Sequence, residues 1–292
     1  MPESGSPNLA RRRRLAAELR RLREHAGLTG DQATERLGWP SSSKLSRIEL
    51  AKSGVKQGDL QSLLNLYNVA SEHRAELNAL AEESRRSGPI RTVSTRLPGE
   101  LIAFLEAEAE AESIWVWEPQ IVPGLLQAEN YTRALFEAWI TRFSLPSGEV
   151  DRRIEARRLR QEVLTRDPPV QFSTVMDESV LRRRIGEAAV MHEQLKHLAV
   201  LSERPHIKVR ILPLGGAHLV GTGAFNYLRF RQIHDVPLND FVVFEHLTGM
   251  DEVEDENDVH QYKLVFETLM NDSLGCEESR ALITAVANEA WA

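Results

Sequence analysis

A short segment between residues 42 and 48 carries small hydroxyl and basic side chains at positions suited to binding nucleic acid. Leu45 and Ile48 are three residues apart, so they share one face of a helix and would hold it against a core. On the other face, small hydroxyls permit close approach to a DNA groove, an arginine can donate two hydrogen bonds to guanine, and a lysine suits a phosphate. The spacing predicts base contacts from Ser42, Ser43, Ser46 and Arg47. It predicts a phosphate contact from Lys44.

Two short helices joined by a tight turn must position that segment. Thr29 and Gln32 have the spacing of a capping box, which predicts a helix that begins near Gly30. Gly38 is expected to end this helix, and Ser41 is expected to cap the next one. A helix, a tight turn and a second helix with a polar outer face is the geometry that places the second helix in a major groove.

This segment resembles the Cro/repressor-type (Xre) helix-turn-helix family over about residues 12–70. The residues that carry the resemblance are Gly27-Leu28-Thr29, Leu37-Gly38-Trp39 and the run from Ser43 to Glu49. The resemblance implies a structural ion pair between Arg23 and Glu49, so we assign Glu49 to structure rather than to DNA. It also implies a regulator that reads double-stranded DNA.

The remaining phosphate contacts are predicted from the basic residues and helix ends around this motif. Many Xre proteins carry a glutamine at the start of the second helix, where this chain has Gly30, so phosphate anchoring there would depend on backbone N–H groups. Basic residues 11–14 lie at a predicted helix N-terminus, where the helix dipole disfavours cations; phosphate contact and simple solvation remain equal alternatives. The predicted phosphate-contacting set is Thr29, Gly30, Lys44, Arg12, Arg13 and Lys52.

The hydrophobic periodicity divides the chain into a small helical domain and a larger mixed domain. Five short helices are predicted over 1–83, including one with Leu60, Leu63, Leu64 and Tyr67 at helical spacing. Residues 84–99 are rich in helix breakers and have no hydrophobic period, which predicts a linker. The sequence thus predicts a five-helix, α-helical domain followed by a larger α+β (mixed α/β) domain over 100–292.

Helices and strands are both expected in the second domain. Apolar runs predict strands at Ile114–Trp117, Val170–Met176, Ile207–Leu212, Ala224–Phe230 and Phe241–Phe244. Helices are predicted near 100–112, 127–140, 149–166, 187–203, 256–273 and 277–290. The acidic stretch Met250–Asp258 is predicted to be a solvated loop that runs into a helix, with a docking site for a basic partner as the alternative.

The charge of the chain is divided between these two regions. The whole chain has a formal net charge of −7, but residues 1–98 carry 17 Lys and Arg against 11 Asp and Glu, a balance of +6. The remaining residues carry 19 against 32, a balance of −13. A basic region confined to the helix-turn-helix end fits a phosphate-binding surface, with chance segregation of charge as the alternative.

The second region is similar to the C-terminal domain of actinobacterial Xre regulators of the WhiJ-like, antitoxin-like type. The resemblance is carried by Glu118, Pro123–Gln127, Met176–Glu178, Leu181–Arg183, Val209–Pro213, Gly215–His218, Ser273-Leu274 and Glu278-Ser279. Such regulators are tied to developmental or antibiotic control, and many are encoded beside a small partner protein. The resemblance implies an effector-binding, partner-binding or dimerisation domain, and an antitoxin-like protein that binds a small partner and autoregulates its operon is the alternative function.

No motif in the sequence indicates catalysis, a metal or a cofactor. His192 and His197 are five residues apart rather than the four that place two imidazoles on one helix face, so we interpret them as surface residues. His218 follows two glycines and is a weak candidate for lining a ligand pocket. A P-loop, a dinucleotide-binding fingerprint and a nucleophile elbow are all absent from the sequence, so we predict a protein that is not an enzyme.

The bulk composition predicts a cytoplasmic protein. Cys276 is the only cysteine and cannot form an internal disulfide, and no apolar run approaches the length of a membrane helix. One helix-turn-helix covers about half a turn of duplex, so a homodimer that reads two half-sites is expected. A small-molecule effector bound by the second domain is a further hypothesis.

Overall fold

The computed structural model describes residues 9–85, 99–143, 148–215, 221–231, 239–246 and 249–292. The chain divides into two compact units. The first contains the described residues 9–85, 99–110, 230, 231 and 239, and the second contains the remaining described residues, from Ala111 to Ala292.

The first unit is helical throughout its described elements. Its six described helices are α1 Leu9–His25, α2 Gly30–Arg36, α3 Ser43–Glu49, α4 Gln57–Leu66, α5 Ser71–Arg85 and α6 Gly99–Glu110. The first five correspond to the five predicted helices. The helical, helix-turn-helix class predicted for this end of the chain is confirmed.

One apolar core holds these helices together. Leu19, Leu60, Leu63 and Leu64 are completely buried, and the last three lie on the stripe predicted for α4. Burial of a leucine side chain stabilises a fold by roughly 1.5–3 kcal/mol, so the shared core outweighs the low intrinsic stability of helices this short. The core therefore fixes the orientation of every short helix around it.

The helix α6 packs against α1 and groups with the first unit. The Nε of Arg11 lies 2.7 Å from a carboxylate oxygen of Glu110 at the end of α6. Residues 86–98, which include most of the predicted linker, lie outside the described part of the chain. The domain division at 84–99 therefore stays a prediction.

The second unit combines one mixed sheet with helices. Its strands are β1 Ser113–Glu118, β2 Gln171–Asp177, β3 Ile207–Leu212, β4 Phe225–Arg229, β5 Phe241–His246 and β6 Gly249–Val253. Its helices are α7 Glu129–Phe143, α8 Glu149–Gln161, α9 Ser179–Arg182, α10 Ala188–Leu201, α11 Glu256–Asp272 and α12 Cys276–Ala290, with 3₁₀ turns at Gly124–Leu126 and Glu162–Leu164.

The described strands form a six-stranded sheet in the order β3-β2-β1-β4-β5-β6. The β1–β2 and β2–β3 pairs are parallel, whereas the β1–β4, β4–β5 and β5–β6 pairs are antiparallel. The α+β prediction for this region is confirmed. The acidic stretch, however, is not a loop throughout: residues 249–253 pair with β5, so the loop prediction was wrong for its first half.

One face of the sheet is covered by α11 through an aromatic layer. Trp115 stacks between Tyr227 and Phe266, with ring centroids 5.0 Å and 5.3 Å away. Alternation along β1 places Trp115 and Trp117 on this face and Ile114 and Val116 on the other. Aromatic pairs of this kind add about 0.5–1.5 kcal/mol beyond the area that they bury.

No helix among the described residues is long and apolar enough to cross a membrane.

Candidate nucleic-acid interface

The capping box and two glycine turns set the direction of α2. The hydroxyl of Thr29 accepts a hydrogen bond from the N–H of Gln32 at 3.2 Å, and the side chain of Gln32 accepts one from the N–H of Thr29 at 2.9 Å. Gly27 and Gly38 have φ angles of +68° and +65°, a left-handed conformation that glycine adopts without strain. The sequence signals for where α2 begins and where the chain turns after it were therefore correct.

The helix α3 presents a polar face to solvent. Leu45 and Ile48 are 1% and 3% exposed, so they bury the opposite face in the core. Ser43, Ser46 and Arg47 are exposed, and Ser42 at the N-cap position is half-buried. The structure thus places the four predicted base-contacting residues on or beside one short helix.

The start of α3 differs from its prediction. Ser42, rather than Ser41, precedes the first helical residue, and its side chain makes no capping hydrogen bond. Ser42 itself has helical backbone angles (φ −67°, ψ −13°), whereas capping hydroxyls need an extended residue to reach the helix N–H groups. The hydroxyls of this segment are therefore not used to cap α3.

An ion pair joins α3 to α1. The guanidinium of Arg23 donates to both carboxylate oxygens of Glu49, from Nε at 2.8 Å and from Nη2 at 3.0 Å. A third hydrogen bond runs from Nη1 to the carbonyl oxygen of Leu28 at 2.8 Å. The hydrogen bonds that Arg23 donates to Glu49 raise the pKa of Arg23, so this arginine remains charged, and a two-point contact fixes the rotation of α3.

A second polar contact joins α3 to α4 and to the turn before it. The Nζ of Lys44 lies 2.5 Å from a carboxylate oxygen of Asp59 and 4.0 Å from the ring centroid of Trp39. A phosphate contact was predicted for Lys44, but its contact with Asp59 was not. In the structure the ammonium group already has two partners within its own unit.

The other predicted phosphate contacts are arranged around this motif. Thr29 is exposed, although its hydroxyl takes part in the capping box, and Gly30 is the first residue of α2. Lys52 is exposed just after α3, where its N–H donates to the carbonyl of Arg47 at 2.8 Å. These three residues lie close in sequence to the ends of α2 and α3.

The basic run at the start of α1 is engaged in packing. Arg11 lies 3.3 Å from Glu83 as well as contacting Glu110. Arg14 is 1% exposed, and burial lowers its pKa. Arg12 and Arg13, the predicted phosphate contacts, are half-buried.

A buried carboxylate ties α1 to α5, and sequence reasoning missed it. Both oxygens of Glu18 accept hydrogen bonds from Arg21 at 2.7 Å, and His73 approaches one of them at 2.8 Å. Burial acts to raise the pKa of Glu18, but the hydrogen bonds from Arg21 and His73 outweigh it and lower the pKa. For His73, burial acts to lower the pKa, and the contacts with Glu76 and Glu18 outweigh it and raise the pKa.

The motif at Pro123–Gln127 in the second unit is a site of dense internal hydrogen bonding. The side chain of Gln127 donates to the carbonyl of Val122 at 2.7 Å, and the hydroxyl of Tyr131 accepts from the N–H of Val122 at 3.2 Å. Gln194 bridges the turn by accepting from Ala128 and donating to the carbonyl of residue 126. The segment Pro123–Gln127 therefore has a structural role in this chain.

Glu118, at the end of β1, has an unusual environment. It is half-buried, and burial raises its pKa to about 7 although the N–H of Gln120 donates to it at 3.1 Å. The nearby charge of Glu245 adds to the increase. Its position in the sequence gave no sign of this shift.

The histidines considered as ligands do not form a site in the described residues. His192 contacts the carbonyl of Ala287 at 2.9 Å, and burial lowers the pKa of His197. Within the part of the chain that the structure describes, no group of three or more His, Cys, Asp or Glu side chains is arranged to hold a metal ion. His218 lies outside the described residues.

Comparison with known families gives two matches. Residues 14–77 match a family described as a helix-turn-helix domain. Residues 101–285 match a family described as a domain of unknown function, DUF5753. No curated protein and no solved structure matches the chain.

Proposed function

The chain belongs to the DUF5753 family and carries a helix-turn-helix domain, and from that premise we propose that it is a sequence-specific transcriptional regulator. The helix-turn-helix match indicates DNA binding. More specifically, we assign the first domain to the Xre type of DNA-binding domain and the second to the WhiJ-like type. The state of the second domain would control the effect on transcription. These assignments rest on the residues given in the sequence analysis.

The exposed polar face of α3 carries this proposal. Leu45 and Ile48 anchor the buried face of the helix in the core. The Arg23–Glu49 and Lys44–Asp59 contacts connect it to α1 and α4. A rigid support of this kind lowers the entropic cost of presenting side chains to a base edge. Arg47 is the longest side chain on the exposed face and suits bidentate contact with guanine.

Each side chain around this face has a proposed role. The base-contacting residues are Ser42, Ser43, Ser46 and Arg47, and the backbone-contacting residues are Thr29, Gly30, Lys44, Arg12, Arg13 and Lys52. Lys44 would have to exchange Asp59 for a phosphate, and Arg12 and Arg13 are only half-exposed. Thr29 and Lys52, which are exposed, therefore have the best access among the proposed phosphate contacts.

Arg47→Ala tests the proposal directly. We expect the variant to lose about 1–3 kcal/mol of discrimination between its operator and a mutated operator, because one bidentate base contact is lost. Fluorescence anisotropy on duplexes from upstream of its own coding sequence measures this. Arg20→Ala is the matched control, since Arg20 is an exposed arginine of the same unit that pairs with Glu24 on α1.

The salt dependence of DNA binding can contradict the proposal. Phosphate contacts release counterions, so affinity must fall steeply as salt rises. The proposal fails if the folded protein binds no duplex in a salt-dependent manner, or if Arg47→Ala and Arg20→Ala have equal sequence preference.

The alternative is an antitoxin-like protein that holds a small partner and binds DNA to regulate its own operon. The acidic balance of the second region favours a basic partner, and Asp251, Glu252, Glu254 and Glu256 are all exposed there. Tagged full-length chain co-expressed with short neighbouring reading frames would retain such a partner through purification. Recovery of the chain alone from every such pair would count against this alternative.

A further inference from the structure

The second unit contains an open cleft of about 680 Å³ beside the edge of its sheet. The volume lies in the range of about 300–1,000 Å³ that is usual for small-molecule sites. Strands β5 and β6, the first half of α11 and residues 221–223 form its walls. The lining residues are Gly221, Thr222, Gly223, Phe244, Val253, Asp258, Gln261, Tyr262 and Val265.

Two aromatic rings form the apolar wall of this cleft. Phe244 and Tyr262 meet edge to face, with centroids 5.0 Å apart and planes at 64°. Phe225 contacts Tyr262 from the core at a centroid distance of 5.3 Å, so the rings are held in place before anything binds. Both rings are half-buried and retain exposed surface toward the cleft.

Residues 221–223, two of which are glycines, form another part of the wall. Gly221 and Gly223 have no heavy atom within 4 Å of the position where a Cβ would lie, so this wall leaves room. The carbonyl of Thr222 accepts a hydrogen bond from the indole of Trp117 at 3.3 Å. This contact connects the wall to the central strand β1.

The rim of the cleft is negative. Asp258 lines it, Glu256 lies in the same first turn of α11, and Asp255 is the N-cap residue of this helix. The carboxylate of Asp255 accepts hydrogen bonds from the N–H groups of Asn257 at 3.0 Å and Asp258 at 3.3 Å, whereas the side chain of Asp258 is exposed and lines the cleft. Two basic side chains on the same elements, His246 and Lys263, lie 3.7 Å and 3.9 Å from Asp251 and Glu267.

From this arrangement we propose that the cleft binds a hydrophobic organic cation that carries aromatic rings. The rings of the ligand pack on Phe244 and Tyr262, whose π faces attract positive charge, and the cationic centre lies toward Asp258. Such binding does not require DNA. Its use as a signal that changes operator affinity rests on the function proposed above.

Tetraphenylphosphonium and tetraphenylborate test this proposal, because they share size and shape and differ in the sign of their charge. Isothermal titration of the full chain in sodium buffer is expected to detect the phosphonium and not the borate. Asp258→Asn should weaken binding of the phosphonium by between about threefold and tenfold, as expected for the loss of one exposed carboxylate. Gln261→Trp, which fills the rim from an exposed position, should abolish binding.

Two variants outside the cleft on the same helix provide the controls. Asp272→Asn removes an exposed carboxylate at the C-terminal end of α11, and Thr268→Trp adds the same bulk at an exposed position. Both should bind the phosphonium as the unmodified chain does, and circular dichroism checks that all four variants are folded. Equal binding of both ions, no binding heat at millimolar concentration, or full affinity in Asp258→Asn and Gln261→Trp would each overturn the proposal.

The titration contains no DNA, so its result is independent of whether the chain is a regulator. Adding the phosphonium to the operator-binding assay then asks a separate question about coupling. By linkage, a ligand that changes operator affinity must itself bind with an affinity that operator DNA changes by the same factor.

Discussion

At the scale of single residues, the contact between Arg23 and Glu49 carries a prediction about stability. Arg23 is only 12% exposed at its side chain, so removal of the carboxylate leaves a poorly solvated charge. We expect Glu49→Gln to lower the free energy of unfolding by about 1–3 kcal/mol, measured by urea denaturation. Glu24→Gln removes an exposed carboxylate beside the same arginine and should change stability little; equal effects of the two would contradict this account.

His73 gives a prediction about pH. Its contacts with Glu18 and Glu76 raise its pKa, so protonated His73 stabilises the folded state. This stabilisation is complete below the ordinary histidine pKa of 6.5 and is lost as pH rises through the folded-state pKa. We therefore expect unfolding free energy, followed by urea denaturation, to fall above pH 6.5 more steeply in the unmodified chain than in His73→Gln.

Glu18 contributes with the opposite sign. Its pKa is lowered, so its contribution is present above the ordinary value of 4.5 and is lost as pH falls through the folded-state pKa. The Glu18–His73 contact is thus strongest at pH values between the folded-state pKa of Glu18 and that of His73. Parallel pH profiles for the unmodified chain and His73→Gln above neutrality would show that the contact does not contribute to stability.

At the scale of elements, sequence patterns were informative wherever the determinant was local. The Thr29–Gln32 capping box and the Leu45–Ile48 stripe each involve residues within one turn, and both are present in the structure. Strand β3 was predicted at its observed bounds because an alternating apolar run is also a local signal. Most of the secondary structure of the site was therefore accessible from the sequence.

Contacts between elements were not accessible from the sequence. Lys44 and Asp59 are 15 positions apart, and Glu18 and His73 are 55 apart, so no local period connects them. Strand β6 was missed because Gly249, Asp251 and Glu252 have low strand propensity, which the pairing with β5 overrides. The same applies to the cleft, which is formed by residues from four separate segments.

The contact of Lys44 with Asp59 gives a prediction at this scale. If Lys44 contacts phosphate, Asp59 competes with DNA for the same ammonium group. We expect Asp59→Asn to raise affinity for operator and unrelated duplexes by the same factor, about two- to fivefold, because a phosphate contact carries no sequence information. Anisotropy titrations at several salt concentrations measure this, with Glu72→Gln, an exposed carboxylate on α5, as the control.

The opposite result has a definite meaning for Lys44. Since the Nζ lies over Trp39 as well as near Asp59, the contact also holds the turn before α3. Lower affinity in Asp59→Asn, with loss of preference for the operator, would show that Lys44 acts in positioning α3 rather than in binding phosphate.

At the scale of the whole molecule, the division of charge bears on how the protein approaches DNA. The chain as a whole is negative at −7, yet residues 1–98 have a balance of +6. A uniformly negative protein would be repelled by a duplex, whereas a segregated one is attracted through its basic region and repelled through the rest. This favours approach by the end of the chain that contains α3.

A homodimer adds a geometric constraint that can be measured on the DNA. If two copies of α3 read one face of a duplex, their half-sites must lie about one helical turn apart, or 10–10.5 base pairs. Inserting about half a turn between the half-sites rotates one of them to the opposite face, and we expect affinity to fall roughly tenfold or more, whereas inserting a full turn should restore part of it. Footprinting of the operator followed by anisotropy on the two inserted duplexes measures this; equal affinity for both inserts would show that the protein binds its operator without two-fold symmetry.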